Sequence, residues 1–67
     1  MPGINEIISE VGYWEASEWG ASVMSHEIID TDEPMNPIVR YYAIEHGEKF
    51  YFDLTLFDVV NRFKEYK

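Results

Sequence analysis

Residues 38–54 have the sequence Ile-Val-Arg-Tyr-Tyr-Ala-Ile-Glu-His-Gly-Glu-Lys-Phe-Tyr-Phe-Asp-Leu. Two runs rich in β-branched and aromatic residues, 38–44 and 49–54, flank the tetrapeptide Glu-His-Gly-Glu. Gly47 can adopt the positive φ that a tight hairpin turn requires. The pattern therefore predicts an antiparallel β-hairpin with its turn at His46 and Gly47.

The position of the turn determines which residues of this hairpin lie opposite one another. Loops of two and of four residues give the same register, which pairs Ile44 with Lys49, Tyr42 with Tyr51 and Arg40 with Asp53. The opposite charges of Arg40 and Asp53 support this register. Because side chains alternate between the two faces of a strand, one face is predicted to form the core. That face carries Val39, Tyr41, Ala43, Phe50, Phe52 and Leu54.

The chain after the hairpin has the features of an amphipathic helix. Thr55 and Asp58 resemble a capping box, and Leu54 and Val59 fit a hydrophobic staple around it. Asp58 and Arg62 have the i,i+4 spacing of a helical ion pair. An apolar stripe follows at helical spacing, formed by Leu56, Val59, Val60 and Phe63. We expect this helix to pack on the core face of the hairpin.

The N-terminal part begins with a second amphipathic pattern. Ile4, Ile7, Ile8 and Val11 are spaced as on one face of a short helix, and Gly12 stands where a C-terminal glycine cap belongs.

Residues 13–30 fit either a second helix or a strand. We favour a strand within residues 19–29, because a two-stranded hairpin alone is rarely stable. Residues 30–37 contain two prolines and three acids and are predicted to form a loop. The elements together predict one small α+β domain over residues 1–67. It has a small antiparallel sheet of two or three strands, a short N-terminal helix and a C-terminal amphipathic helix packed on one face.

Charge is distributed unevenly along the chain. Residues 1–37 contain eight acids and no Lys or Arg, whereas five acids and five bases balance in the rest. The net charge of −8 excludes nucleic-acid binding by phosphate neutralisation, which needs a basic surface. Disorder is not indicated, because 46% hydrophobic residues suffice for a core. The acids form either a merely solvated surface or a binding surface. They are Glu6, Glu10, Glu15, Glu18, Glu27, Asp30, Asp32 and Glu33.

Several functional classes lack their sequence signatures. Cysteine is absent, which excludes disulfides and thiolate metal sites and fits a reducing compartment such as the cytoplasm. The start of the chain lacks the basic and apolar regions of a signal peptide, and no run is long enough for a membrane span. His26 and His46 lack a second ligand at metal-site spacing. The acids at 30–33 lack the later ligands of a calcium loop. We therefore expect a non-enzyme without a cofactor or metal.

The chain has more aromatic residues than the expected core uses. Tyr42 and Tyr51 fall on the second face of the hairpin, and Trp19 flanks the acidic residues. Tyr and Trp are frequent anchors of binding interfaces. The alternative is that the N-terminal helix covers this second face.

Carboxylates at i,i+4 on a helix, such as Glu6 and Glu10, lie about 6 Å apart, close to the spacing of successive phosphates. Small size, acidity, absence of cysteine and aromatic content resemble the class of virus-encoded nucleic-acid mimics. That class includes anti-CRISPR proteins, restriction inhibitors and uracil-DNA glycosylase inhibitors. Residues 47–59, Gly-Glu-Lys-Phe-Tyr-Phe-Asp-Leu-Thr-Leu-Phe-Asp-Val, are similar to the strand-to-helix stretch of some small phage glycosylase inhibitors.

This resemblance implies an inhibitor of a basic nucleic-acid-binding protein or nuclease of the host cell. The eight acids would occupy phosphate subsites, and Trp19, Tyr42 and Tyr51 would fill apolar pockets beside them. Direct binding of nucleic acid or of a membrane is not expected. The alternative hypothesis is a small interaction module without mimicry, in which a homodimer joins through the face of Tyr42 and Tyr51.

Overall fold

A computed structural model describes residues 3–66 as a helix, three strands and a second helix. The elements are α1 (Ile4–Ser17), β1 (Ser22–Ile29), β2 (Ile38–Glu45), β3 (Glu48–Thr55) and α2 (Leu56–Tyr66). The strands form one antiparallel sheet in the order β1-β2-β3. The predicted α+β class is confirmed, and the sheet has the larger of the two expected strand numbers.

The hairpin of β2 and β3 has the predicted register. Arg40 lies opposite Asp53, Tyr42 opposite Tyr51 and Ile44 opposite Lys49. His46 and Gly47 have φ values of 50° and 80°. Two consecutive positive φ values are typical of a type I′ turn, whose twist matches that of the flanking strands.

The start of α2 is also as predicted. The Asp58 N–H donates to Thr55 Oγ1 at 3.1 Å, and the Thr55 N–H donates to Asp58 Oδ2 at 3.3 Å. This reciprocal pair satisfies two of the backbone donors that a helix start leaves unpaired. Val59 is completely buried in the core, and Leu54 and Phe63 pack against the same core.

Both helices pack on the same face of the sheet. The core between the two layers contains Ile8, Val11, Val39, Tyr41 and Val59, none of which is exposed to solvent. The expectation that the core face of the hairpin carries α2 is confirmed. The alternative in which the N-terminal helix covers the second face is wrong, because α1 packs over the core face beside α2. The second face stays open to solvent.

Helix α1 is longer than predicted, because Gly12 does not end it. The helix continues to Ser17, and Gly20, with φ 74°, takes the glycine position after its C-terminus. The Gly20 N–H donates to Ser17 O at 3.1 Å, and the Ala21 N–H donates to Ala16 O at 2.9 Å. These two bonds form a Schellman motif, in which the buried Ala16 and Ala21 also make contact.

Gly12 lies in the helix interior because α1 crosses the sheet closely there. A Cβ atom at this position would overlap with the ring of Tyr41. The Tyr41 hydroxyl donates to Ile8 O, one turn earlier in α1, at 2.7 Å. The glycine thus allows the approach that this buried hydrogen bond requires.

Strand β1 is the element that the sequence left ambiguous. A strand does form within residues 19–29, but it begins only at Ser22, because Trp19 and Gly20 belong to the turn after α1. Strand β1 pairs with β2 from Ser22 opposite Ile44 to Ile29 opposite Ile38, with a bulge at Met24. Residues 30–37 form the predicted loop between β1 and β2.

Candidate interaction surfaces

Seven of the eight acids in residues 1–37 are exposed, and they extend from α1 to the loop after β1. Glu6 and Glu10 lie on the solvent side of α1, and Glu18 follows the helix. Glu27 lies on β1, and the remaining three acids occupy the loop before β2. We call this set the acidic surface, and it consists of Glu6, Glu10, Glu18, Glu27, Asp30, Asp32 and Glu33.

Glu15 differs from the other acids because it is only 6% exposed. Its Oε1 accepts a hydrogen bond from Arg62 Nη1 at 2.7 Å and a longer one from the Tyr66 hydroxyl at 3.4 Å. Desolvation and the nearby charge of Glu15 raise the pKa of Tyr66. Glu15 therefore joins α1 to α2 and is not part of the acidic surface.

The expected ion pair between Asp58 and Arg62 is wrong. Asp58 is engaged in the cap of α2, while Arg62 lies on the side of α2 that faces α1 and pairs with Glu15. Glu15, in the part of the chain without Lys or Arg, is therefore compensated by a base from α2.

Trp19 is partly buried against the core and partly exposed at the surface. Its ring lies edge-on to Phe52 at 5.1 Å between centroids, and 48% of the residue is exposed. It lies on the helix side of the sheet. Tyr42 and Tyr51 lie on the other side, so the three aromatic residues expected at the binding site do not form one cluster.

The open face of the sheet has twelve residues in four rows across the three strands. In the direction β1-β2-β3 the rows are Ser22-Ile44-Lys49, Ser25-Tyr42-Tyr51, Glu27-Arg40-Asp53 and Ile29-Ile38-Thr55. Two acids and two bases balance on this face, which is therefore neutral in a protein with a net charge of −8. Its other residues are apolar, aromatic or hydroxyl-bearing. The open face therefore shares Glu27 with the acidic surface but differs from it in net charge and in its remaining residues.

Hydrogen bonds hold the centre of this face in place. The Tyr42 hydroxyl donates to Glu27 Oε1, and this bond raises the pKa of Tyr42. Arg40 binds Asp53 through both Nε and Nη2, at 2.9 and 3.0 Å, which lowers the pKa of Asp53. The Arg40 guanidinium also lies 4.2 Å from the centroid of the Tyr51 ring. These contacts fix the tyrosine rings before any partner binds.

The described residues do not bring together the groups that metal binding would require. No cluster of three His, Asp or Glu side chains could hold a metal ion within residues 3–66. In the same part of the chain neither helix is long and apolar enough to cross a membrane. The two exposed surfaces described above are the acidic surface and the open face of the sheet.

Sequence reasoning missed three contacts that shape these surfaces. They are the approach of Gly12 to Tyr41, the pairing of Glu15 with Arg62, and the bond from the Phe57 N–H to Asn36 Oδ1 at 2.9 Å that ties the acidic loop to α2. Each joins residues far apart in the chain, and no local pattern marks them. The Schellman motif at Gly20 does have a local signal, namely Ala16 and Ala21 on either side of the turn.

The fold and the surfaces define a small two-layer α+β protein with an open sheet face and an acidic surface. No protein-family model matches the chain, and no curated protein or solved structure matches it at a significant level.

Proposed function

We propose that this protein is an acidic inhibitor that binds a basic nucleic-acid-handling protein in place of its nucleic acid. The observation that supports the proposal is the exposure of seven carboxylates within residues 3–37, a part of the chain with no Lys or Arg. The target is a basic DNA- or RNA-binding protein or a nuclease, and the inhibitor acts in the cytoplasm of the host cell.

The proposed mechanism is competitive. The carboxylates occupy the positions of phosphates in the cationic groove of the target, and the field of the whole acidic surface accelerates association. Trp19, half-exposed at the helix side of the sheet, supplies an apolar contact beside the carboxylates. The protein acts by occupying the groove and carries out no chemistry of its own.

The test uses purified representatives of three target classes: a Cas nuclease, a restriction endonuclease and a uracil-DNA glycosylase. Binding to one of them should be displaced by duplex DNA and should weaken steeply as the salt concentration rises. Failure to bind any cationic nucleic-acid enzyme, or binding that duplex DNA leaves unchanged, would contradict the proposal.

Two charge-matched variants make the test specific. The first carries Glu6→Gln, Asp30→Asn and Asp32→Asn on the acidic surface, and the second carries Glu45→Gln, Glu48→Gln and Glu65→Gln. We expect the first to slow association at least tenfold and the second by less than threefold, because steering depends on where the charge lies. Equal effects of the two variants on the association rate would show that the acids act only through the net charge of the protein.

A second candidate function is a protein interaction module that uses the open sheet face without mimicry. The observation that favours it is the exposure of Tyr42 and Tyr51 on a neutral face that neither helix covers. In that case Tyr42→Ser should weaken partner binding while Tyr13→Ser, on the solvent side of α1, should not. Salt would change the affinity little, which distinguishes this candidate from mimicry.

A further inference from the structure

The two edges of the sheet differ in how well they are protected against further pairing. Strand β1 has a bulge at Met24, which interrupts the regular row of backbone groups along that edge. Strand β3 pairs with β2 over all eight of its residues without a register shift, and it contains no proline. Its outer edge has no strand partner within residues 3–66. A long, regular and uncovered edge is a template for another strand.

The hairpin geometry shows which residues present their backbone groups at this edge. Residues 45 and 48 close a type I′ turn and form a hydrogen-bonded pair, after which hydrogen-bonded and non-hydrogen-bonded pairs alternate. Lys49, Tyr51 and Asp53 therefore form non-hydrogen-bonded pairs with β2. Their N–H and C=O groups point outward, away from β2. All three residues are exposed.

The charges along this edge would be complementary if two β3 strands paired in antiparallel orientation. In a second β3 strand related by a two-fold axis at Tyr51, Lys49 of each copy lies opposite Asp53 of the other. Tyr51 then lies opposite Tyr51, and Phe50 lies opposite Phe52 on the helix side. The residues with outward backbone groups are thereby paired with one another. Opposite charges and aromatic residues facing each other across a ladder are stabilising pairs.

An apolar surface on α2 lies on the same side of the molecule as this edge. Helix α2 turns Arg62 and Tyr66 towards α1. Its opposite flank carries Phe57, which is 58% exposed, and Val60. A shallow hollow of about 360 Å³ lies there, lined by Leu56, Phe57, Val60, Asn61 and Lys64. A second copy paired at β3 would cover this flank with its own.

The position of β1 is compatible with the same arrangement. Joining two copies at β3 gives the strand order β1-β2-β3-β3-β2-β1, so the two β1 strands lie at the two ends. They are separated by five strand spacings, or about 24 Å. This exceeds the Debye length of about 8 Å at physiological salt, so repulsion between Glu27 of one copy and Glu27 of the other is largely screened.

We propose that two copies of this chain associate through the outer edge of β3, in antiparallel register about Tyr51, to form a continuous six-stranded sheet. The open face with Tyr42 then stays uncovered and doubles in width. This inference does not depend on the mimicry proposal, because the acidic surface remains accessible in the dimer.

The first experiment measures mass by sedimentation equilibrium over a range of protein concentrations. The wild type should reach twice the monomer mass of 7.9 kDa. Lys49→Glu, which places a carboxylate opposite Asp53 of the other copy, should raise the dissociation constant at least tenfold. Ser22→Glu is the control for the added carboxylate, because Ser22 lies in the same row of the open face at the other edge, and it should change the constant by less than threefold. A wild type that stays monomeric at millimolar concentration, or equal weakening by both variants, would overturn the proposal.

The second experiment uses the absence of cysteine in the natural chain. Two Tyr51→Cys residues in a hydrogen-bonded pair would have Cα atoms about 5.5 Å apart, within the range for a disulfide. Tyr51→Cys should therefore form a disulfide-linked dimer on mild oxidation. Tyr42→Cys should not, because three strand spacings, about 14 Å, separate its two copies. Cross-linking of Tyr42→Cys but not of Tyr51→Cys would show face-to-face association and overturn the edge pairing.

Discussion

Residues 38–66 build their structure from contacts between near neighbours, whereas residues 3–37 depend on contacts with the other half. The β2–β3 hairpin closes through a two-residue turn, and the cap of α2 joins residues three apart. Helix α1 is held instead by a bond from Tyr41 to Ile8 over 33 positions and by the pairing of Arg62 with Glu15 over 47 positions. Residues 38–66 thus provide a local scaffold to which residues 3–37, the acidic half of the chain, attach.

This difference determines where the acidic charge can lie. Glu15 is the acid of the first half that is buried, and its pairing with Arg62 joins the two helices. Like charges at the surface repel one another and lower stability. The packing contacts between the halves must therefore offset that repulsion.

The largest expected effect comes from breaking the packing contact between the halves at Gly12. Gly12→Val should destabilise the fold by about 3 kcal/mol, because the added side chain overlaps with the Tyr41 ring and the close-packed core cannot absorb it. Urea denaturation followed by circular dichroism measures the change. Ser9→Val, on the exposed side of α1, introduces the same residue and should shift the free energy of unfolding by less than about 0.5 kcal/mol. Similar midpoints for the two variants would show that α1 does not approach the sheet at Gly12.

The same contrast explains which parts of the structure the sequence predicts. The register of β2 and β3 and the cap at Thr55 follow from turn chemistry and short spacings, so they could be predicted. Gly12 fits the local pattern of a glycine that ends a helix. The helix nevertheless continues through Gly12, because the tertiary contact with Tyr41 requires a glycine within the helix. The pairing of Glu15 with Arg62 has no local signal, so sequence reasoning could not separate Glu15 from the exposed acids.

The stability that the contact between Tyr41 and Ile8 contributes should depend on pH, because the Tyr41 hydroxyl can ionise. Burial, with a smaller contribution from the Glu15 charge, raises the pKa of Tyr41 above its ordinary value of 10.0. A raised folded-state pKa stabilises the fold fully below pH 10, and this contribution is lost as the pH rises towards the folded value. Within that window the loss is about 1.4 kcal/mol per pH unit.

Tyr41→Phe should therefore be less stable than wild type at pH 8, by about 1 kcal/mol for the lost hydrogen bond. Above pH 10 the two stability curves should meet within about one pH unit and then cross, because the variant has no hydroxyl at this position to ionise. The variant should still lose some stability at alkaline pH, because the pKa values of Tyr42 and Tyr66 are also raised. Urea midpoints from pH 8 to 12 test this expectation. Tyr13→Phe, in an exposed position, serves as the control, and parallel curves for Tyr41→Phe and wild type would contradict the assignment.

Removing one charge from the pair that links α1 to α2 should have a smaller effect than Gly12→Val. Glu15→Gln should cost about 1–2 kcal/mol, because the guanidinium of Arg62 loses its charged acceptor in a partly buried position. Arg62 Nε already has no hydrogen-bond partner within the described residues, so the side chain has few alternatives. Glu6→Gln removes the same charge from the exposed side of the same helix and should change stability by less than about 0.5 kcal/mol. Equal effects of the two changes on thermal unfolding would mean that Glu15 acts only through net charge.

The smallest expected effect lies within the local scaffold. Asp53→Asn removes the charge that Arg40 binds across the hairpin, and the cost at pH 7 should be about 0.5 kcal/mol because both side chains are about one-third exposed. Arg40 lowers the pKa of Asp53, so the pair contributes fully above the ordinary value of 3.8 and loses its effect as the pH falls through the lower folded value. The difference between wild type and variant should thus be constant from pH 5 to 8 and should vanish near pH 2. Asp30→Asn, in the exposed loop of the acidic half, should not be destabilising at pH 7, because its charge only adds to the repulsion there. A cost for Asp53→Asn above about 2 kcal/mol would show that the hairpin depends on one ion pair, and residues 38–66 would then be less self-sufficient than their local contacts indicate.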